Sequence, residues 1–233
     1  MAFGLLSLVM ILPFTLLVFR YQPADMGLAP YGAEEAQAQR MQAHEPEAAA
    51  VRPGLLMLAG LTALYAVAMF TSAFNQHLAS FGASVGFAGA AMLVSVSMVG
   101  NMLGKLALGL LADRTGPAKA AFISFGMALA GFVIIPYTGW ALYAAAFLTG
   151  MILPSATVLM PLLVQHAYND RGYEQAYAYI STLGSVVYAF AGSIMGYLFD
   201  MKGDYALVIQ LCALLLAAAL GILAPMCMKR RRA

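Results

Sequence analysis

Charge is what this 233-residue chain has least of. Only 9% of its residues are Asp, Glu, Lys or Arg, against about 25% in soluble globular domains. Hydrophobic residues make up 63%, and mean hydropathy is +0.83. A chain this poor in charge cannot cover a water-facing surface, so a soluble globule is excluded. The net charge of +2 lacks the basic excess that nucleic-acid binding requires, so nucleic acid is no expected partner. Cysteine is scarce as well. Cys212 and Cys227 share one apolar segment and stand about 22 Å apart along a helix, which excludes a disulfide between them. Zinc spacings, a nucleophile elbow, a phosphate loop and a dinucleotide fingerprint are all missing. The expectation is no enzyme, no catalytic residue, no metal and no cofactor. Residues 1–19 have neither the basic start nor the cleavage site of a secretory leader and are expected to stay as a spanning helix.

What the chain has in abundance is long apolar runs, several past the roughly 18-residue length that reads as a bilayer crossing. Seven segments stand out, at 2–19, 54–76, 87–111, 120–137, 140–164, 175–199 and 205–228. They do not alternate as barrel strands would, and lipid leaves helices as the other way to satisfy the backbone. The fold class is therefore an all-α polytopic membrane protein with seven transmembrane helices. Short turns are expected at 80–86, 112–119, 138–139, 165–174 and 200–204. One connection is long: residues 20–53 carry Pro23, Gly27, Pro30, Gly32 and an Ala/Glu/Gln-rich stretch up to Pro53, as a domain linker does. The last six helices, 54–228, read as one bundle, followed by a basic tail at 229–233.

Lys and Arg set the orientation. With the linker inside, Arg20, Arg40, Arg52, Arg114, Lys119, Arg171 and Lys229 to Arg232 fall on the cytoplasmic side, against Lys202 alone outside. The expected location is the cell's plasma (inner) membrane with a cytoplasmic carboxy terminus. An odd number of crossings then starts outside without a leader, which leads us to expect further helices upstream, in the same chain or in a separate half.

Polar residues are unevenly spread. The first, fourth and seventh helices are nearly bare, with Ser7 and Thr15, Ser124, and Gln210. The others carry many hydroxyls and amides, and intramembrane polar groups face cavities or other helices. Bare helices are therefore expected against lipid. In the third helix Ser97, Asn101 and Lys105 recur at i, i+4 and i+8, on one stripe. The second carries Tyr65, Met69, Ser72 and Gln76 at similar spacing, with Asn75 and His77 adjacent. The sixth carries Tyr177, Ser181, Ser185 and Tyr188. Each neutral residue reads equally as a substrate contact or as an interhelical hydrogen bond. Lys105, the only charge well inside a span, reads as a substrate or coupling contact, or as a snorkelling or ion-paired cation. His77 reads as a titrating group or as a surface histidine.

The third helix ends in Gly109-Leu110-Leu111-Ala112-Asp113-Arg114-Thr115-Gly116, preceded by Gly100 and Gly104. Small residues there permit close helix approach, and Asp113 and Arg114 can pair with neighbouring helix ends. The stretch closely resembles the G-x-L-A-D-R-x-G signature of the major facilitator superfamily. Gln22 to Gly32 resembles the entry to the central loop of monocarboxylate porters and oxalate/formate antiporters, and Gly196 to Tyr205 resembles their G-x-x-x-D-x-x-G-x-Y turn. The resemblance implies that the linker is the central loop and that the chain corresponds to helices six to twelve. It also implies peripheral third, sixth, ninth and twelfth helices and alternating access between two bundles. A small organic anion, monocarboxylate or dicarboxylate, is then the expected substrate, with the bilayer and an amino-terminal six-helix half as the other partners. Arg is frequent among such carriers where Lys105 stands; Lys keeps the charge and loses the bidentate fork. The competing expectation is a truncated or split half that transports nothing alone.

The reading of a carboxy-terminal half predicts the size of the native product. An antibody against the Lys229 to Arg232 tail should detect a band near twice the 24.6 kDa of this chain in membranes of the source organism. A band at 24.6 kDa would instead make the half chain the native product.

Overall fold

Lipid-length apolar runs with no strand pattern fold as helices, and in the computed structural model every element among the described residues is helical. It describes residues 55–136 and 139–228, with the backbone alone for 169–171 and 228. The first expected helix, the linker, and the tail at 229–233 lie outside the described residues, as does Gln22 to Gly32. Six helices among the described residues are long and apolar enough to cross a membrane. They are α1 (Leu55–Gln76), α2 (Ala90–Thr115), α3 (Pro117–Ile134), α4 (Ala141–Tyr168), α5 (Gly172–Lys202) and α6 (Ala206–Cys227). Each coincides within a few residues with one of the last six expected segments, and all lie in one compact unit, residues 50–233.

The spans alternate in direction. Met57, Thr115, Lys119, His166 and Met226 share one end, called here the motif end. Helix α1 packs against α5 and α6, α2 against α4, and α3 against both α4 and α6. The expected bare helices α3 and α6 expose apolar side chains, Phe122, Ile123 and Val133 on one and Leu214 and Ile222 on the other. Helix α5 is the least enclosed, with 17% of its core window buried against 61% for α4.

Helix α4 sits at the centre of the bundle because glycines let backbones touch. A side chain at Gly100 of α2 would collide with the Phe147 carbonyl, and one at Gly150 of α4 with the Ser97 carbonyl. Gly104 faces Met151 and Pro154, and Gly131 of α3 faces the Thr149 amide at 2.9 Å from where a Cβ would stand. Two prolines then break α4. Pro154 and Pro161 have no N–H to give to the carbonyl four residues back. Around Met151 to Ser155 the hydrogen bonds shorten to three-residue steps, and Ser155–Leu159 forms a π-helical turn closed by the Met160 amide on the Ser155 carbonyl. The Ser124 hydroxyl of α3 donates to the Met151 carbonyl at 2.6 Å, and Ser155 donates to Ser124 at 2.7 Å.

Three expected turns differ. Residues 80–86 are mostly a short helix, Leu78–Ser84, turning only at Gly86 (φ 67°); the single Gly82 does not stop it. The turn at 112–119 shrinks to Gly116 (φ 92°), because Thr115 still extends α2 and Pro117 already starts α3 with its fixed φ. Helical hydrogen bonding also persists through 165–174, from Met160 to Lys202. Laid straight, those 43 residues would span about 64 Å, twice a hydrocarbon core. The chain instead reverses: α4 arrives at the motif end with His166, and α5 leaves it to place Gly192 against His77 at the far end of α1. The segment has no proline to force a stop, so polarity alone marked it as a turn.

Ser124→Ala should strip the Met151 carbonyl of its partner and cost about 1–3 kcal/mol. Ser155→Ala should cost less, because Met151 stays paired. Thermal unfolding of both variants in the same detergent checks the order.

Candidate functional site

The end of α1 away from the motif end is where sequence and structure bring polar groups together. The α-helix gives way after Ser72 to a 3-10 turn, Ala73–Gln76, which tightens the backbone and fans three successive polar side chains toward three helices. Asn75 accepts from the Ser97 hydroxyl of α2. Gln76 donates its amide to the Tyr188 hydroxyl of α5 at 3.0 Å. His77 stands 3.1 Å from the Gly192 carbonyl and 3.3 Å from the Tyr205 hydroxyl. A carbonyl only accepts, so His77 Nε2 carries a proton there, and Nδ1 is left to meet the Tyr205 hydroxyl. Burial pushes the Tyr205 phenol above its ordinary range, and Asp200 adds to the shift against Ser80, so the phenol keeps its proton. His77 is thus a half-buried clamp between α1, α5 and the start of α6, rather than a free surface histidine.

Tyr205 is a residue whose role the sequence left hidden. Its ring lies 4.6 Å from Phe199, 5.8 Å from Phe81 and 6.2 Å from Phe74, centroid to centroid. Gly203 (φ 73°) caps α5 in the left-handed region, and Asp204 accepts from the Ala206 amide. This gives a local reason for Gly203, Asp204 and Tyr205 in the turn between the last two spans. Asp200 stays exposed.

A second meeting point lies deeper. The Tyr65 and Tyr177 phenols face each other, Tyr177 stacks on Tyr173 at 5.6 Å, and the Tyr65 ring presses on Gly184 with no room for a Cβ. Ser181 bonds back to its own helix at Ala178, and Ser185 and Tyr188 are exposed on α5.

The expected Ser97, Asn101, Lys105 stripe does not hold as one face. Eight residues advance a helix by about 80° beyond two whole turns, enough to carry the row from core to surface. Ser97 is buried, Asn101 half-buried and Lys105 exposed. Asn101 Oδ1 is enclosed without a partner. At the motif end Asp113 and Arg114 are exposed, a side chain at Gly109 would enter open space, and Gly100 and Gly104 form the seam with α4. The site residues therefore fall into cross-links (Asn75, Gln76 with Tyr188, His77, Ser97, Tyr65, Tyr177) and groups left open (Lys105, Ser185).

This arrangement of six antiparallel spans and a glycine-lined α2 ending in Asp113-Arg114-Thr115-Gly116 fits the match of residues 56–233 to the Major Facilitator Superfamily. The chain belongs to that superfamily. It is therefore a multi-pass membrane protein of a family made of transporters. No curated protein matches its sequence closely.

His77→Phe should keep the aromatic packing and remove both hydrogen bonds of the clamp, to the Gly192 carbonyl and to the Tyr205 hydroxyl. We expect a loss of about 1–3 kcal/mol for the two bonds, against about 1 kcal/mol for Tyr205→Phe, which leaves the bond to Gly192 in place. Thermal unfolding in micelles separates the two.

Proposed function

We propose that this superfamily member carries a small organic anion, a monocarboxylate or dicarboxylate, by alternating access, with the exposed faces of α2 and α5 lining the path. The observation that carries the reading is Lys105. It is the only Asp, Glu, Lys or Arg well inside a span among the described residues, about 15 Å of helical rise from the motif end of α2. A cation kept there at a cost in lipid calls for an anionic partner, and it is exposed on the bundle rather than spent on a neighbour. Asn101 one turn away, the exposed Ser185 hydroxyl, and the Tyr188 hydroxyl, which accepts from Gln76 and keeps its own proton to give, supply neutral donors that suit a carboxylate. No carboxylate lies deep in a described span, which favours exchange of anions over a carboxylate proton relay in this bundle. The likeness of Gly196 to Tyr205 to the monocarboxylate porter and oxalate/formate antiporter turn supports the same substrate class.

The thinly buried α5 and the exposed side of α2 need cover, and we assign it to a second six-helix bundle, in the same polypeptide or in a partner. The plasma membrane is the proposed location. Arg114 and Lys119 put the motif end, and with it the carboxy terminus, on the cytoplasmic side. The 233 residues alone are then expected to transport nothing in liposomes.

Uptake of radiolabelled formate, oxalate, lactate and succinate into vesicles carrying the full-length protein tests the reading. Lys105→Ala should cut uptake of the preferred anion at least about tenfold, as expected for losing a charge-assisted hydrogen bond. Lys105→Arg should retain part of it. Unchanged uptake in Lys105→Ala, at equal protein in the membrane, would overturn the role of Lys105.

A further inference from the structure

At the motif end, away from every residue assigned above to transport, the ends of five spans enclose a cavity of about 250 Å³. Its lining divides by chemistry. Met57, Leu163, Met226 and Cys227 are apolar or weakly polar, whereas Lys119 and His166 bring an ammonium and an imidazole, and the Thr115 hydroxyl is already given to the Leu111 carbonyl. Among the described residues no Asp or Glu lines it. Lys119 and His166 are exposed at the rim, while Leu163 is only 4% exposed.

We propose that this cavity is a binding site for the headgroup of an anionic phospholipid. Depth argues for a lipid. Met57 is the third residue of α1, Thr115 the last of α2, Lys119 the third of α3, and Met226 and Cys227 the last two of α6. The cavity thus lies within a turn or so of the span ends, at the level where headgroup meets acyl chain. Charge argues for an anion. Lys119 gives a full positive charge, and His166 can donate an N–H to a phosphate oxygen in either protonation state. The apolar lining argues against a bare ion, because Met57, Leu163 and Met226 offer a phosphate nothing and offer a glycerol backbone and the first methylenes a dry seat. A volume of about 250 Å³ exceeds what a phosphate group alone fills. Position separates the site from the transport path. No residue of α5 lines it, whereas α3 and α6, whose exposed residues Phe122, Ile123, Leu214 and Ile222 are apolar, both do. A lipid seated there ties the start of α3 to the ends of α4 and α6.

The test is lipid retention by the purified full-length protein in mixed phosphatidylglycerol and phosphatidylcholine nanodiscs, read by native mass spectrometry after release into detergent. The expected result is retention of phosphatidylglycerol over phosphatidylcholine. Lys119→Gln should lower it about fivefold, the worth of one basic residue at a membrane surface. Ala167→Trp should abolish it by filling the cavity with the charges left in place. Circular dichroism checks that both variants fold. If Lys119→Gln does not, salt decides with the wild-type chain, since retention held by charge falls at high ionic strength. Equal retention of the two lipids overturns the proposal. So does phosphatidylglycerol retention unchanged in Ala167→Trp, or binding of inorganic phosphate with no preference between the lipids.

Discussion

Every carbonyl freed inside a bilayer must find a donor within the protein, and α4 frees its own in mid-span. Pro154 and Pro161 make that break unavoidable, and much of the bundle is arranged around its repair. The Ser124 hydroxyl on the Met151 carbonyl explains why a single polar residue is buried on the otherwise apolar α3. The glycines at 100, 104, 131 and 150 bring α2 and α3 close enough to α4 for such short side chains to reach. Close backbone approach also substitutes for the hydrophobic drive that lipid cannot supply between helices. The break and the glycine seams are one solution seen from two sides.

Polar residues in the spans divide into two populations with different work. Asn75, Gln76, His77 and Ser97 spend their hydrogen bonds on neighbouring helices, fixing the far end of α1 to α2, α5 and α6. Lys105 and Ser185 remain open on α2 and α5. The clamps hold the far end of α1 in register with its neighbours and leave the sparsely charged sides of α2 and α5 free of such ties.

The six described spans were legible in the sequence because hydropathy over twenty residues is a bulk property that packing does not rearrange. Their ends were less so. The helix at Leu78–Ser84 looked like a turn because Gly82 and Gly86 stand close together in a short uncharged stretch, where local hydrogen bonding outweighed composition; the reversal near 168–172 was marked by its polarity, but its length was overestimated. The stripe logic failed at Lys105 since 3.6 residues per turn do not divide eight evenly. Pairings such as Asn75 with Ser97 were beyond reach, because the choice between contact to substrate and contact to helix is made by the neighbour, and spacing along one helix is silent about neighbours. The importance of Ser124 was hidden by its isolation, although a lone hydroxyl on a bare helix is a signal worth following to the nearest proline-broken span.

The helical backbone assigned from Met160 to Lys202 leaves almost no chain between α4 and α5, so the reversal has to be made within residues 169–171. A link that short holds the motif ends of the most deeply buried and the most exposed spans side by side. Neither can slide along its axis without carrying the end of the other with it.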